Sequence, residues 1–246
     1  MDQTIATLQN WIDESHHIVF FGGAGVSTES GIPDFRSVDG LYHQAYAYPP
    51  ETILSNSFFA QNPQEFYNFY RDKILLPGAN AKPNPAHLKL AELEQAGKLT
   101  AVVTQNIDGL HQAAGSKTVY ELHGSTLRNY CVRCKKKYPT SFLAQGTGVP
   151  HCTEPGCGGI VRPDVVLYEE GLDSDVISGA VHAIRHADML IIGGTSLVVY
   201  PAAGLVNYYQ GKKLVLINKS TTSMDHMANL TINAPIGQVF SQIAVR

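Results

Sequence analysis

Four cysteines are the residues whose spacing most directly suggests chemistry. Cys131 and Cys134 are separated by two residues, and Cys152 and Cys157 are separated by four. Two such pairs are typical of a tetrahedral zinc site with four thiolate ligands. Because four protein ligands leave no open coordination position, we expect one structural zinc ion per chain.

A glycine-rich turn is the second candidate for chemistry. Gly23-Ala24-Gly25 directly follows an apolar run, and glycines in such a turn let backbone N–H groups approach a pyrophosphate. The turn departs from the usual dinucleotide fingerprint, because Thr28 stands where a third glycine belongs. No acidic residue ends a second strand about 20 residues later, as the usual ribose contact requires. These gaps disfavour an ordinary NAD oxidoreductase, and alone the turn is equally compatible with a purely structural role.

Longer motifs around these residues resemble the sirtuin family. The first is GAGVSTESGIPDFR at residues 23–36, and the others are TQNIDGLH at 104–111, ELHG at 121–124 and GTSLVVYPAA at 194–203. They occur in family order and are most like bacterial deacetylase members. The resemblance implies an NAD-dependent protein deacetylase. Its products would be nicotinamide, O-acetyl-ADP-ribose and deacetylated lysine.

The same resemblance implies which residues carry the reaction. His123 would be the general base that activates a ribose hydroxyl, a role suited to imidazole, whose pKa is ordinarily about 6.5. Asn106 would be the second catalytic residue, contacting the ribose and an ordered water. Asp108 and the backbone of Ile107 would hold the nicotinamide carboxamide. Without matching neighbours, a lone histidine would more often be a core or capping residue.

The remaining cofactor residues implied by the resemblance surround the ends of predicted strands. Phe35 would cover the nicotinamide site, and Arg36 would help to position the cofactor. Asn218 would bind the ribose hydroxyls in place of the missing acidic residue. The full set expected to bind NAD is Gly23, Ala24, Gly25, Thr28, Phe35, Arg36, Gln105, Asn106, Ile107, Asp108, His123, Gly194, Thr195, Ser196, Asn218, Lys219 and Ile236.

A substrate groove is also implied. The segment Val165-Val166-Leu167-Tyr168 resembles the sirtuin segment that pairs with the substrate backbone, and by the same resemblance Val199 would lie in the opposite wall. An acetyl-lysine peptide would add between them as a strand. Here Tyr168-Glu169-Glu170 stands where the family often has Phe-Gly-Glu, so the loop after the groove lacks the glycine.

The preferred acyl group can be inferred from one helix. Sirtuins that prefer acidic acyl groups carry Tyr-x-x-Arg, whereas here Tyr67 is followed three residues later by Tyr70, with Arg71 one position late. One position on an α-helix is a rotation of about 100°. We therefore expect an apolar acyl pocket that favours acetyl and longer neutral chains.

Strands and helices alternate along the part of the chain that should position these residues. Short apolar runs at 18–21, 101–103, 189–192 and 214–217 predict strands buried on both faces. Periodicity and capping residues predict helices over 3–15, from Asn84-Pro85 to Gly97, over 173–186 and over 201–210. This alternation predicts an α/β fold with a doubly wound parallel, Rossmann-like sheet.

Two stretches interrupt the alternation. Residues 36–80 are rich in aromatics and contain a helix that opens at Asn62-Pro63, and residues 124–163 contain all four cysteines. We predict that these stretches form a small domain made of a helical module and a zinc-ribbon module. Residues 1–35, 81–123 and 164–246 would form the discontinuous NAD-binding domain.

Composition narrows the possible partners. The 246-residue chain has a net charge of −3, which argues against nucleic-acid binding by bulk charge. It contains no run of about 18 apolar residues, and its acidic, amphipathic N-terminus is unlike a signal peptide. We expect a cytoplasmic protein that acts on acetyl-lysine proteins or peptides, without membrane or sequence-specific nucleic-acid partners.

Two other interpretations use the same residues. An NAD-dependent ADP-ribosyltransferase could use the same cofactor site with a different acceptor. A zinc-ribbon module without catalysis would instead bind nucleic acid tightly and release no nicotinamide. His123 and the groove at Val165-Val166 favour deacylation over both.

Overall fold

The computed structural model describes residues 3–37, 40–43, 46–222 and 224–246. Within these residues the helices are α1 (Gln3–Glu14), α2 (Pro50–Ile53), α3 (Asn56–Gln61), α4 (Pro63–Phe69), α5 (Leu76–Gly78), α6 (Pro85–Gln95), α7 (Leu110–Ala114), α8 (Thr140–Ala144), α9 (Ser174–His186) and α10 (Ile236–Phe240). The strands are β1 (Ile18–Gly22), β2 (Leu99–Thr104), β3 (Val119–Glu121), β4 (Gly124–Cys131), β5 (Lys137–Tyr138), β6 (Val161–Val165), β7 (Met189–Gly193), β8 (Leu214–Asn218) and β9 (Leu230–Asn233).

Six strands form one parallel sheet in the order β3-β2-β1-β7-β8-β9. The central strands β1 and β7 are buried along their whole length, which explains their uninterrupted apolar sequences. Counted within this sheet, the strand order is 3-2-1-4-5-6, the order of dinucleotide-binding folds. The predicted fold class is therefore confirmed, and the order reverses between β1 and β7.

Helices cover both faces of this sheet. Ile18 and Phe20 of β1 point to one core, which includes apolar residues of α1, α6 and α10. Val19 and Phe21 point to the other core, which includes residues of α9 and of residues 202–208. The alternation within a single strand thus places β1 between two hydrophobic layers, as a doubly wound sheet requires.

The predicted elements agree with the structure except in two places. The segment predicted as a helix at 201–210 is a 3₁₀ helix, Ala202–Tyr208, and Gly204 inside it lowers its α-helical propensity. The helix expected from Asn62 starts at Pro63 as α4 and continues as a π-helical segment, Tyr70–Leu75. The 100° rotation per residue assumed for Arg71 therefore does not strictly apply, because a π-helical turn is wider.

A second, antiparallel sheet has the order β5-β4-β6; Cys131 ends its strand β4, and the other three cysteines lie in the adjoining turns and loops. Cys131 and Cys152 share a hydrophobic core with Phe66, Tyr67 and Leu143. The helical module and the zinc-ribbon module therefore pack on common apolar residues. No helix among the described residues combines the length and the apolar character needed to cross a membrane.

Candidate functional site

The carboxyl ends of β1, β2 and β7 bring distant motifs together. The N–H of Gln105, after β2, donates to the carbonyl of Gly22 at 2.9 Å, and the N–H of Gly25 donates to the carbonyl of Gly194 at 2.8 Å. Ligands of open α/β sheets bind where the strand order reverses. The glycine turn and the segment after β7 lie at this position.

Two glycines permit the close approach of these segments. A Cβ atom added to Gly25 would lie 2.8 Å from the Cα of Gly194. A Cβ added to Gly194, whose φ is 61°, would collide with the backbone N of Val26. Both positions therefore require glycine. The turn is held from inside by the hydroxyl of Thr28, which donates to the carbonyl of Gly25 at 3.0 Å.

After the glycine turn the chain forms two short 3₁₀ turns, Ala24–Val26 and Thr28–Ser30. Short helical turns therefore follow the glycines, but they do not extend into a long helix. Gly31, at φ 85°, ends the second turn, and Pro33 follows soon after. The backbone geometry thus differs from an ordinary dinucleotide turn just where the sequence fingerprint also differs.

His123 is oriented by one hydrogen bond. Its Nδ1 lies 2.9 Å from the carbonyl oxygen of Gln105. Because a carbonyl can only accept, Nδ1 must carry the proton, which leaves the lone pair on Nε2. Burial lowers the pKa of His123, and the bond to Gln105 opposes that shift only in part. The imidazole is therefore neutral at pH 7 and able to accept a proton at Nε2.

Asn106 and Asp108 are linked through Ser27. The hydroxyl of Ser27 donates to Asp108 Oδ2 at 2.6 Å and accepts from Asn106 Nδ2 at 3.1 Å. Burial raises the pKa of Asp108, while the bonds from Ser27 and from the backbone N–H of Leu110 oppose that rise. Sequence reasoning missed Ser27, although it lies inside the first motif. The three side chains form one buried polar group beside the glycine turn.

The segment after β7 is fixed by an amide. The N–H of Thr195 donates to Asn218 Oδ1 at 3.0 Å, and Asn218 Nδ2 donates to the carbonyl of Thr195 at 2.9 Å. Gln105 Nε2 also donates to Thr195 Oγ1, at 3.0 Å. Both polar atoms of Asn218 thus hold the turn. A ribose contact by this side chain, which stays a prediction, would have to replace or share these bonds.

Three other residues expected at the cofactor site occupy different environments. Ser196 and Lys219 are exposed. Ile236 is buried at the first position of α10, where its Cδ1 fills the space that a Cβ on Gly193 would need. Ile236 therefore packs under the end of β7, in a position to shape the floor of the site.

Phe35 and Arg36 both contact Tyr42. The rings of Phe35 and Tyr42 lie 5.5 Å apart, and the Arg36 guanidinium lies 5.0 Å above the Tyr42 ring. The carboxylate of Asp34 accepts from the N–H groups of Arg36 and Ser37, which fixes the turn. Sequence reasoning did not identify Tyr42, because nothing in its local sequence indicates that it joins these two side chains.

The predicted substrate segment runs beside the predicted base. The N–H of Val166 donates to the carbonyl of His123 at 2.9 Å, and Val165 pairs with Gly124. Val165, Val166 and Val199 are partly exposed, whereas Leu167 is buried. The structure therefore brings His123 and the segment at 165–168 together, with two side chains accessible to a ligand.

The loop after this segment keeps a glycine-type backbone. Glu169 adopts φ 76°, a left-handed conformation that glycine tolerates and other residues rarely adopt. Its carboxylate accepts from both the N–H and the hydroxyl of Ser57, each at 2.9 Å. Glu170 in turn binds Arg162 through two oxygens, at 2.6 and 2.9 Å. Side-chain contacts thus maintain the conformation that a glycine would permit.

The four cysteine sulfurs converge within 4.8 Å of one another. The Cys131 and Cys157 sulfurs lie 3.6 Å apart, and those of Cys134 and Cys152 lie 3.5 Å apart. Tetrahedral zinc with Zn–S bonds of about 2.3 Å would place the sulfurs roughly 3.8 Å apart. The hydroxyl of Tyr138 donates to Cys152 Sγ at 3.1 Å and would stabilise a thiolate. The geometry fits a closed, structural zinc site.

Two buried histidines, one on α6 and one on α7, lie in contact with each other. The rings of His87 and His111 are 4.7 Å apart, and neither nitrogen of the His111 imidazole has a hydrogen-bond partner among the described residues. Burial lowers the pKa of His87 to about 4, and burial together with the neighbouring His87 lowers that of His111 to about 3. Both imidazoles are therefore neutral in the folded protein at pH 7.

This pair should make folding stability depend on pH. An unfolded histidine takes up a proton near pH 6.5, whereas these two stay neutral in the folded protein down to about pH 4. As the pH falls below 6.5, protonation therefore favours the unfolded state, and the stability present above pH 6.5 is lost. Between pH 7 and pH 5 the two groups together should lower the free energy of unfolding by about 4 kcal/mol. Urea denaturation of the wild type and of His111→Gln at both pH values measures this effect.

In the variant, about half of that pH-dependent loss should disappear. The matched control is His182→Gln, which alters an exposed imidazole on α9 and should leave the pH dependence unchanged. An identical loss of stability in wild type and His111→Gln would show that the pair does not carry the effect.

Known proteins are similar to this chain in sequence and in structure. A model of the Sir2 family matches residues 23–201. A Clostridium perfringens NAD-dependent protein deacetylase is 61% identical over 246 residues, covering 99% of this chain and 99% of the relative. A solved Sir2 structure with NAD⁺ and a p53 peptide has a TM-score of 0.85 and 40% identity, covering 97% of this chain and 96% of the other. A Sir2 variant with deacetylated p53 peptide and 3′-O-acetyl ADP-ribose has a TM-score of 0.89 and 39% identity, covering 98% and 97%.

Proposed function

The chain belongs to the Sir2 family, and from that premise we propose that it is an NAD-dependent protein-lysine deacetylase. Its products would be nicotinamide, O-acetyl-ADP-ribose and deacetylated lysine. One observation carries the proposal most strongly. His123, just after edge strand β3, keeps Nε2 unprotonated, and its backbone carbonyl accepts from Val166 of the predicted substrate segment.

The cofactor site fits NAD in its shape and its donors. The close approach of Gly25 and Gly194 leaves partly exposed backbone without a side chain at both positions, which suits a pyrophosphate. NAD, when bound, supplies the ribosyl group that receives the acetyl group. Asn106 and Asp108, fixed through Ser27, would orient the ribose and the nicotinamide carboxamide. Transfer of the acetyl group to the ribose mainly requires that the two substrates be held in position in a pocket that excludes water.

His123 would act late in the reaction. Its Nδ1–H is committed to the carbonyl of Gln105, so only Nε2 can take the proton of a ribose hydroxyl. Phe35 would cover the nicotinamide site, and Arg36 would position the cofactor from the same turn. Zinc would have no chemical role in this scheme, because its four thiolates leave no open position.

The helical module supports a preference for neutral acyl groups. Arg71 donates from Nε to the carbonyl of Leu143 at 2.7 Å and from Nη2 to the carbonyl of Gly148 at 2.6 Å. Its guanidinium also lies 5.3 Å over the ring of Tyr67, whose hydroxyl donates to the carbonyl of Val161. Arg71, the cation nearest in sequence to the Tyr-x-x-Arg position, is thus bound to backbone carbonyls of the zinc-ribbon module.

Acetyl-lysine should therefore be a much better substrate than succinyl-lysine. A succinyl carboxylate would be buried without a cationic partner, which costs several kcal/mol even after relaxation and lowers kcat/KM by at least about 100-fold. The experiment incubates the protein with NAD and one peptide carrying either acyl group. Nicotinamide release and peptide mass are followed by mass spectrometry.

The two arms of this assay answer different questions. Absence of nicotinamide release and deacylation with the acetyl peptide would overturn the proposed function. Equal processing of both peptides would overturn only the argument about the acyl pocket. In that case Arg71→Ala would show whether Arg71 supplies the charge, because it would abolish the succinyl activity alone.

The location and the domain division belong to the same proposal. We place the protein in the cytoplasm, because a site of four thiolates needs a reducing compartment. We propose a small domain of residues 36–80 and 124–163, and an NAD-binding domain formed by the rest of the chain. The hydrophobic core shared by Phe66, Tyr67, Cys131 and Leu143 supports this division.

A further inference from the structure

We propose that the hydrogen bond between the Tyr42 and Tyr168 hydroxyls couples the turn that carries Phe35 and Arg36 to the substrate segment at 165–168. Through this coupling, NAD and the acetyl peptide would bind cooperatively. The two oxygens lie 2.7 Å apart. The inference rests on the proposed function and assigns two positioning residues to that same site.

On the cofactor side, Tyr42 organises the turn that carries Phe35 and Arg36. Its ring packs against Phe35 and lies under the guanidinium of Arg36. Its N–H donates to the carbonyl of Phe35 at 2.9 Å, and the N–H of Leu41 donates to the carbonyl of Asp34 at 2.9 Å. A displacement of the Tyr42 ring would therefore move both side chains that we place over the nicotinamide site.

On the substrate side, Tyr168 continues directly from Val165-Val166. Its N–H donates to the carbonyl of Leu54 at 3.0 Å, and its carbonyl accepts from the N–H of Asn56 at 3.0 Å. The backbone of Tyr168 is thus paired with the helical module like a short strand. A peptide that pairs with residues 165–167 would therefore bind to a segment whose C-terminal end, Tyr168, is held by hydrogen bonds to the helical module.

The hydroxyl pair connects these two fixed elements. Both phenol groups are partly buried, and burial together with the neighbouring Tyr168 raises the pKa of Tyr42, which stays protonated at neutral pH. One hydroxyl donates and the other accepts. Removing either oxygen leaves the second without its partner and frees the cofactor turn from the substrate segment. Ordering of one element would then no longer favour ordering of the other.

The experiment is a double-mutant cycle with Tyr42→Phe, Tyr168→Phe and the double variant. The measured quantity is the ratio of the KM for NAD at low and at saturating acetyl peptide. Each single variant should lower this ratio about fivefold, the effect of losing one net hydrogen bond. The double variant should lose no more than either single one, because the two hydroxyls act as a unit.

A matched control is Tyr209→Phe. The hydroxyl of Tyr209 donates to the carbonyl of Asp188 and accepts from the N–H of Lys213, each at 3.1 Å, far along the chain from both loops. This variant loses a partly buried hydroxyl and some stability, but its KM ratio should stay at the wild-type value. A wild-type ratio in Tyr168→Phe, or additive losses in the double variant, would overturn the coupling. A wild-type enzyme without deacetylase activity would instead overturn the proposed function.

Discussion

Replacing His123 by alanine should lower deacetylation by at least about 100-fold, because the reaction loses its general base. The fold should survive, since the side chain makes one described hydrogen bond, to the carbonyl of Gln105. NAD binding should also be largely kept, because the glycine turn and the Ser27–Asp108 pair do not depend on the imidazole. Steady-state kinetics with an acetyl peptide, together with calorimetric NAD binding, measures both effects.

The control for this variant is His182→Ala, which removes an exposed imidazole on α9 and should retain full activity. The wild-type pH profile gives a second test. Because burial lowers the pKa of His123, the acid limb of kcat/KM should fall at a pH below the ordinary histidine value of about 6.5. If His123→Ala kept more than about a tenth of wild-type turnover, the assignment of the base would be wrong.

Cys131→Ser should abolish stoichiometric zinc binding and unfold the small sheet. Structural zinc sites contribute about 10 kcal/mol or more of folding free energy. The Cys131 side chain also belongs to the core that contains Phe66 and Tyr67, so the damage should spread to the helical module. We expect metal content to fall from one zinc per chain towards none, with a lower Tm and a loss of activity.

Lys137→Ser is the control, because it introduces the same residue at an exposed position of the same sheet that is not a proposed zinc ligand. It should retain one zinc per chain and the wild-type Tm. Elemental analysis and thermal unfolding are measured on all three proteins. Full zinc content and stability in Cys131→Ser would mean that the four cysteines do not form the site.

The centre of the fold could be predicted from the sequence because its strands are covered on both faces. Every residue of β1 and β7 is buried, so their apolar runs carry no polar interruptions. The edge strands β3 and β9 could not be found in this way. They have three and four residues, and most of these are only partly buried. Short half-exposed segments give no periodicity to detect.

The candidate site was predictable to the extent that its residues lie in continuous motifs. His123, Asn106 and the glycine turn stand in such motifs, and so does Ser27, whose bridging position only the structure reveals. Tyr42 could not be predicted as a site residue from the sequence, because its contacts with Phe35 and Tyr168 join residues 7 and 126 positions apart. Tertiary hydrogen bonds of this kind leave no local pattern.

The loop at Glu169 shows why a motif departure need not change a conformation. A missing glycine suggests a different backbone, yet φ stays at 76°. A non-glycine residue in this region typically costs about 1 kcal/mol or more. The two hydrogen bonds from Ser57 can offset such a cost. The compensation comes from a residue more than a hundred positions earlier, so the sequence of the loop could not reveal it.

The pairing of Gly124 with Val165 has a consequence for protein engineering. The chain leaves the large sheet at His123, forms the whole cysteine-bearing module, and returns beside its point of departure. Gly124 has φ 76°, and a Cβ there would collide with the carbonyl of Asp164, so the junction is narrow. Residues 125–164 thus form an insertion whose two ends are adjacent. A zinc-ribbon module from another protein could replace this insertion, provided that Gly124 and the pairing of Gly124 with Val165 were retained.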